Sequence, residues 1–311
     1  MTVLVTPRAN EGAAVTPERI LNRLDWTVIR RLDGILLGDY RTLFYGFGLD
    51  LAEVREYLPE DDIRYMDWNV TARMNAPYVR QYHEDREITA WFLLDLSPSV
   101  DFGTIKQLKR DLVIEFTATL SRLLTRHGNK VGAIVYDDHI EKIIPARSGK
   151  LHVLRLINDL MKLPRLKKAP YTDLTALLDM AGRAIRRRSL IFIVSDFFSA
   201  PGWERPLRYL TQRHEVLAVQ LYDPRELELP DVGLIVMEDA ETGEQLYVNT
   251  SDRKFRKRFM DAAHKRLATL NTALRHSSVD VLPLSTEDDL VRAILRFASL
   301  RKQRRAHVRG R

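Results

Sequence analysis

Three oxygen-bearing side chains stand at alternate positions where an apolar run ends. In WFLLDLSPSV, residues 91–100, Asp95, Ser97 and Ser99 follow Trp91, Phe92, Leu93 and Leu94. Two readings fit. Asp and Ser are common turn and helix-cap residues, so a strand that merely turns needs nothing more. A carboxylate and two hydroxyls on one loop are also one wall of a site for a hard divalent cation, which takes oxygen ligands. What other segments bring to the same place decides between them.

Composition narrows the chemistry. The chain of 311 residues has no cysteine, which removes disulfides, zinc–thiolate sites and thiol nucleophiles together and fits a reducing, cytoplasmic compartment. No Gly-x-Ser-x-Gly elbow or His-Glu-x-x-His pair occurs. SGKL, residues 148–151, lacks the remaining glycines and the Ser or Thr of a phosphate-binding loop, so nucleotide hydrolysis by this chain is not expected. The apolar runs ITAWFLL and SLIFIV are far shorter than the ~20 residues of a membrane-spanning helix. The N-terminus lacks the charged-then-apolar pattern of a signal peptide. Of the net charge of +7, six positive charges lie in the tail RKQRRAHVRGR. The basic character belongs to that end and does not imply a nucleic-acid-binding domain.

The pattern of elements places the loop. Residues 1–15 are expected to be disordered. Residues 16–87 hold one helix over TPERILNRLDWTVIRRL, with Thr16 as its cap, and then an extended lead-in. From residue 88, short buried apolar runs alternate with amphipathic helices up to 302, and a basic tail fills 303–311. Such alternation predicts an α/β domain with a doubly wound, mostly parallel sheet. LIVMEDAETGEQLYVNT reads as an inserted β-hairpin turning at Thr242–Gly243, and Thr286 as the cap of the last helix.

In an open doubly wound sheet, ligands bind beyond the carboxyl ends of the strands where the strand order reverses. LLDLSPS leaves the first strand of the domain and IVSDFF the fourth. If the order is 3-2-1-4-5-6, these exits are neighbours and Asp95 faces Asp196 across one crevice. PYTDL precedes the helix feeding the fourth strand and brings Thr172 to the same edge, with Asp173 nearby as a helix N-terminal acid. The set Asp95, Ser97, Ser99, Thr172 and Asp196 offers only oxygen donors, as Mg²⁺ or Mn²⁺ requires. The hydroxyls add no charge, so a bound ion stays electrophilic enough to accept an outside carboxylate.

These residues resemble the metal-ion-dependent adhesion site of von Willebrand factor A domains. The lead-in is similar to that of the DUF58 family, whose segment of Arg, Tyr, paired Asp, Arg and Asp-Trp, followed by Ala-Arg, stands here as Arg55, Tyr57, Asp61, Asp62, Arg64, Asp67, Trp68, Ala72 and Arg73. The resemblance covers roughly residues 38–250. It implies a von Willebrand factor A-like fold in which the serines and the threonine touch the metal and the aspartates often act through water. It also implies an adaptor that binds a partner's Asp or Glu and works beside a MoxR-type AAA+ ATPase in assembling or activating other proteins. Pro98 and Val100 depart from the family pattern at positions often held by a small residue and a methionine, which leaves the donors intact and stiffens the loop. Many relatives carry N-terminal membrane helices absent here, so membrane attachment does not carry over.

Plainer readings stand beside these. Arg55, Arg64 and Arg73 with the neighbouring acids can form an ion-pair network that fastens the lead-in. The eight histidines show no ligand spacing, and His83, His139 and His152 are expected to be solvated or satisfied residues. The rival function is a metal-dependent, phosphatase-like hydrolase using Asp95 and Asp196. That chemistry wants a second Asp two positions after the first, where Ser97 stands. Nucleic-acid binding through the tail is a further, minor alternative.

Overall fold

A computed structural model of the chain describes residues 16–24, 53–81 except 60, 62, 64, 65 and 75, 88–166 and 171–309. The expectations for residues 1–15, for Asp62 and Arg64, for His83 and for most of the segment between the first helix and the lead-in fall outside them. So do the side chains beyond Arg301.

Helix α1 (Pro17–Leu24) comes first, with Thr16 Oγ1 accepting from the Arg19 backbone at 3.4 Å. The lead-in pairs β1 (Glu53–Glu56) with β2 (Tyr78–Gln81) in an antiparallel ladder. It is not extended throughout: α2 (Trp68–Met74) lies between them. Asp67 starts that helix by accepting from the backbone of Asn69 and Val70. Arg55 grips Asp61 through two bonds of 2.7 and 2.8 Å, so the expected ion pairing exists within the lead-in itself.

The α/β unit follows as β3 (Thr89–Asp95), α3 (Lys109–Arg126), β4 (Lys130–Tyr136), β5 (Ile140–Arg147), α4 (Lys150–Lys162), α5 (Leu174–Ala184), β6 (Leu190–Ser195), α6 (Glu204–Arg213) and β7 (Glu215–Tyr222). The hairpin β8 (Leu234–Glu238) and β9 (Gln245–Asn249) comes next. Then come α7 (Arg253–His276), β10 (Asp280–Ser285) and α8 (Leu290–Arg309). The six-stranded sheet runs β5-β4-β3-β6-β7-β10, parallel except for β5 on β4. This is the 3-2-1-4-5-6 order of a doubly wound sheet, of von Willebrand factor A-like type.

Alternation along β3 splits its side chains between two cores. Ala90, Phe92 and Leu94 face one, shared with residues of α3, α4 and α8; Trp91 and Leu93 face the other, shared with α5, α6 and α7. Phe92 stacks on Phe192 at 5.0 Å, and both meet Phe116 edge-on. Trp91 dictates a glycine on the next strand: a Cβ on Gly132 would lie 2.9 Å from the indole.

Some boundaries differ from expectation. Helix α3 begins at Lys109, later in the KQLKRD segment than its periodicity predicts, and α5 ends at Ala184, so Arg186–Arg188 lie beyond its last turn. Thr286 does not cap α8. Its hydroxyl is drawn to Asp223 at 2.7 Å, and Asp289 accepts from the Arg292 backbone instead. The backbone of α8 stays helical past Lys302 to Arg309. Arg301, the first residue of the basic run, is buried and paired with Glu215 and, at 2.9 Å, with Asp280. Among the described residues, no helix is long and apolar enough to cross a membrane.

Helix α1 also belongs to the α/β core, since Leu21 is fully buried within the same cluster as Phe116 and Val153. Leu21→Ala should therefore cost about 2–5 kcal/mol, read as a lower urea midpoint at unchanged slope. An unchanged midpoint would detach α1 from the core.

Candidate metal centre at the sheet switch point

The register decides where the chemistry sits. Leu94 pairs with Val194, so β3 and β6 end side by side and release Asp95 and Asp196 at the carboxyl edge of the sheet. The two strand ends are joined directly. Ser195 Oγ donates to Asp95 Oδ2 at 2.6 Å and accepts from the Phe197 backbone at 2.8 Å. Phe197 takes a left-handed φ of 58°, uncommon for a bulky residue, as the chain turns sharply out of β6.

Asp95 is fully buried, and its other oxygen accepts from the Ser97 backbone at 3.0 Å. That bond folds the loop back so that Ser97 Oγ and Ser99 Oγ meet at 3.1 Å, both buried. Pro98 opens a short 3-10 turn to Asp101, and Val100 is buried in the main core. The loop is therefore held by a ring at one position and by core packing at the next.

Thr172 arrives on the connection before α5. Ser199 Oγ and the Ala200 backbone donate to its carbonyl at 3.0 and 2.9 Å, and Tyr136 Oη at the end of β4 accepts from the Asp173 backbone at 3.0 Å. The exits of β4 and β6 thus fix this connection. Asp173 caps α5, accepting from the Thr175 backbone at 2.9 Å, as its position before the helix predicts. The Thr172 hydroxyl is not open to solvent. It donates at 2.7 Å to Glu241, which lies in the turn of the β8–β9 hairpin.

Asp196 has an unexpected partner. Lys109 Nζ is fully buried and lies 2.6 Å from Asp196 Oδ2 and 2.7 Å from Glu226 Oε1. Asp196 Oδ1 accepts from the Phe198 backbone at 3.0 Å. The ammonium lies 5.8 and 5.3 Å from the ring centres of Phe102 and Phe198. Burial favours a neutral lysine, but the attraction of Asp196 and Glu226 wins and raises its pKa. Asp223 braces the same region, accepting from Thr104 and Thr286 and from the Arg225 backbone.

The electrostatics favour an added cation. Burial, then the negative charge of Asp196, pushes Asp95 up to about 6. Burial also raises Glu226 and Glu241. Ionised, the four carboxylates Asp95, Asp196, Glu226 and Glu241 face two cations, Lys109 and Arg266, whose charges act on this cluster. The cluster therefore carries an excess of negative charge. The donors are all oxygens, and the paired hydroxyls of Ser97 and Ser99 keep lone pairs for a ligand. The residues present therefore fit a hard divalent cation. Ser97, Ser99 and Thr172 would offer hydroxyls, with Asp95 and Asp196 close behind. Asp196 would share its charge with Lys109.

Lys109, Glu226, Glu241 and Ser195 escaped the sequence reading. Lys109 sits among the charges of KQLKRD, where a solvated face is the ordinary expectation. A second cluster was also missed. Asp137, His139 and Glu141, in the turn between β4 and β5, each offer an atom within a 4.8 Å group, and His139 Nδ1 bonds Asp138. The signal was Asp-Asp-His-x-Glu, invisible to a search for spaced histidines. His152 is satisfied as expected, its Nε2 lying 2.7 Å from the Val131 carbonyl.

The chain belongs to the DUF58 family, "Protein of unknown function DUF58", whose model matches residues 53–269. Uncharacterized proteins of Mycobacterium tuberculosis and Mycobacterium bovis are 38% identical to it over 283 residues, covering 91% of this chain and 89% of theirs. Among solved structures, an aerotolerance-related membrane protein from Bacteroides fragilis aligns at TM-score 0.47 and 13% identity, over 70% of this chain and 99% of that one. BatB from Bacteroides thetaiotaomicron aligns at 0.46 and 13% over the same shares. Likenesses of that order leave the fold to be read from the sheet topology itself.

Asp95 gives the pH prediction. Its folded-state pKa lies above the ~3.9 of an unfolded aspartate, so the folded protein holds a proton that the unfolded chain releases. That stabilisation is complete below about pH 4 and disappears as pH rises through about 6. In chelator, the melting temperature of wild type should fall across this window more than that of Asp95→Asn. Parallel profiles would contradict the buried-charge account.

Proposed function

We propose that this protein is a divalent-cation-dependent protein-binding module. Mg²⁺ or Mn²⁺ would be held by the hydroxyls of Ser97, Ser99 and Thr172, with Asp95 and Asp196 completing the set directly or through water. The observation that carries the reading is the excess negative charge on an all-oxygen crevice at the sheet switch point. When bound, the ion supplies an electrophilic position for an acidic side chain of another protein.

The chain's own residues do the rest. Asp95 orders the loop through the Ser97 backbone, and Ser195 locks Asp95. Lys109 holds Asp196 in place and removes one unit of its repulsion against Asp95. Recognition by such a site involves no covalent step. By family resemblance, the role is that of a cytoplasmic adaptor beside a MoxR-type AAA+ ATPase, which would supply the energy for assembling or activating client proteins.

Calorimetric titration of Mg²⁺ or Mn²⁺ into the wild type should give saturable heat. At one hundred times Kd, the ion should stabilise the fold by about 2.7 kcal/mol. The Asp95→Ala, Ser97→Ala double variant should show neither heat nor a melting shift. Equal binding by both proteins would overturn the site assignment. Co-purification with an AAA+ partner that survives chelation would separate the site from the adaptor role.

A further inference from the structure

Glu241 is hydrogen-bonded to Thr172, one of the five candidate metal residues. Its carboxylate is buried and takes both hydrogen-bond donors of Thr172, the hydroxyl at 2.7 Å and the backbone N–H at 3.2 Å. The turn is built to present it. Asp239 Oδ1 accepts from the backbones of Glu241 and Thr242 at 3.0 and 2.9 Å. Gly243 closes the turn with a left-handed φ of 71° that suits glycine. The hairpin forms a two-stranded sheet of its own, separate from the six-stranded one. Met237 and Val248 seat it on Phe102, just beyond the Ser97–Ser99 loop.

We infer that Glu241 is the internal carboxylate ligand of this centre, supplied by the hairpin to the position that a partner's Asp or Glu would take. The inference rests on the metal-binding reading above. A hydrogen-bond acceptor for Thr172 does not need to be charged: a glutamine carbonyl would accept the same protons. A carboxylate is also a ligand for a hard divalent cation, the role for which its charge is needed. A threonine hydroxyl that gives its proton to Glu241 also turns its lone pairs elsewhere, as metal ligation requires. With Glu241 in place, an incoming acidic side chain must displace the hairpin turn before it reaches the ion. The resting protein would therefore be self-capped, and partner binding would be linked to movement of residues 239–244.

The test uses Mn²⁺ alone as probe, on wild type, Glu241→Ala and Glu241→Gln, with Asp95→Ala, Ser97→Ala as the site-null protein. Water-proton relaxation reports how many rapidly exchanging waters the bound ion keeps. Hydrogen exchange over residues 237–248 reports the hairpin. Wild type should bind Mn²⁺ with added hairpin protection. Glu241→Ala should bind several-fold more weakly, with about one more water per ion, since this cation keeps water wherever protein ligands are missing. Glu241→Gln, which keeps the bond to Thr172, should retain the melting temperature and yet lose the hairpin protection that Mn²⁺ induces. If the Glu241 variants match wild type in affinity, water number and hairpin exchange, the internal ligand is refuted while the metal site stands. If wild type binds no better than the site-null protein, the metal reading fails and this inference fails with it.

Discussion

The buried ammonium of Lys109, held between Asp196 and Glu226, is the interaction on which the rest of the crevice depends. Two acids cannot be buried side by side without compensation, and removing one partner from such a group costs about 3–5 kcal/mol. Lys109 is the first residue of α3, so the pair fixes where that helix starts. Glu226 belongs to the segment after β7, whose Asp223 binds Thr104 and Thr286. One lysine therefore ties the exits of β6 and β7 to the loop leaving β3. Its charge, even with that of Arg266, does not balance Asp95, Asp196, Glu226 and Glu241. The fold has been left short of positive charge at the place where its loops converge.

That shortage is tolerable only because the surrounding geometry is rigid. Asp95 is held on one side by Ser97 and on the other by Ser195, while Val100 anchors the far end of the loop in the core. Thr172 is fixed through its carbonyl by the β6 exit and through Asp173 by Tyr136. Oxygens prevented from relaxing apart keep their mutual repulsion, and under the proposed function a bound cation would relieve it.

Much of this was legible in the sequence. Asp95, Ser97 and Ser99 are a weak signal alone, because Asp and Ser are common turn and cap residues, and they gain weight only from what other segments bring to the same edge. The 3-2-1-4-5-6 order followed from strands alternating with helices, and it brought Thr172 and Asp196 to the same edge from far along the chain. What stayed hidden was compensation. A lysine in KQLKRD and a glutamate in EDAETGE carry no local mark of burial, because their surroundings are made by segments more than a hundred and nearly seventy residues away. Helix α2 was hidden for another reason: seven residues give too few turns for periodicity to register. Thr286 looked like a cap, and became a ligand of Asp223 because a buried carboxylate competes more strongly for a hydroxyl than a helix end does.

The central claim is that one divalent ion belongs between the Ser97–Ser99 loop and Thr172. Crystals grown with Mn²⁺ and measured at the manganese absorption edge test it most directly. The account predicts a single strong anomalous peak within ligand distance of Ser97 Oγ, Ser99 Oγ and Thr172 Oγ1. A peak confined to the Asp137, His139 and Glu141 cluster, or none in the crevice at saturating Mn²⁺, would contradict it.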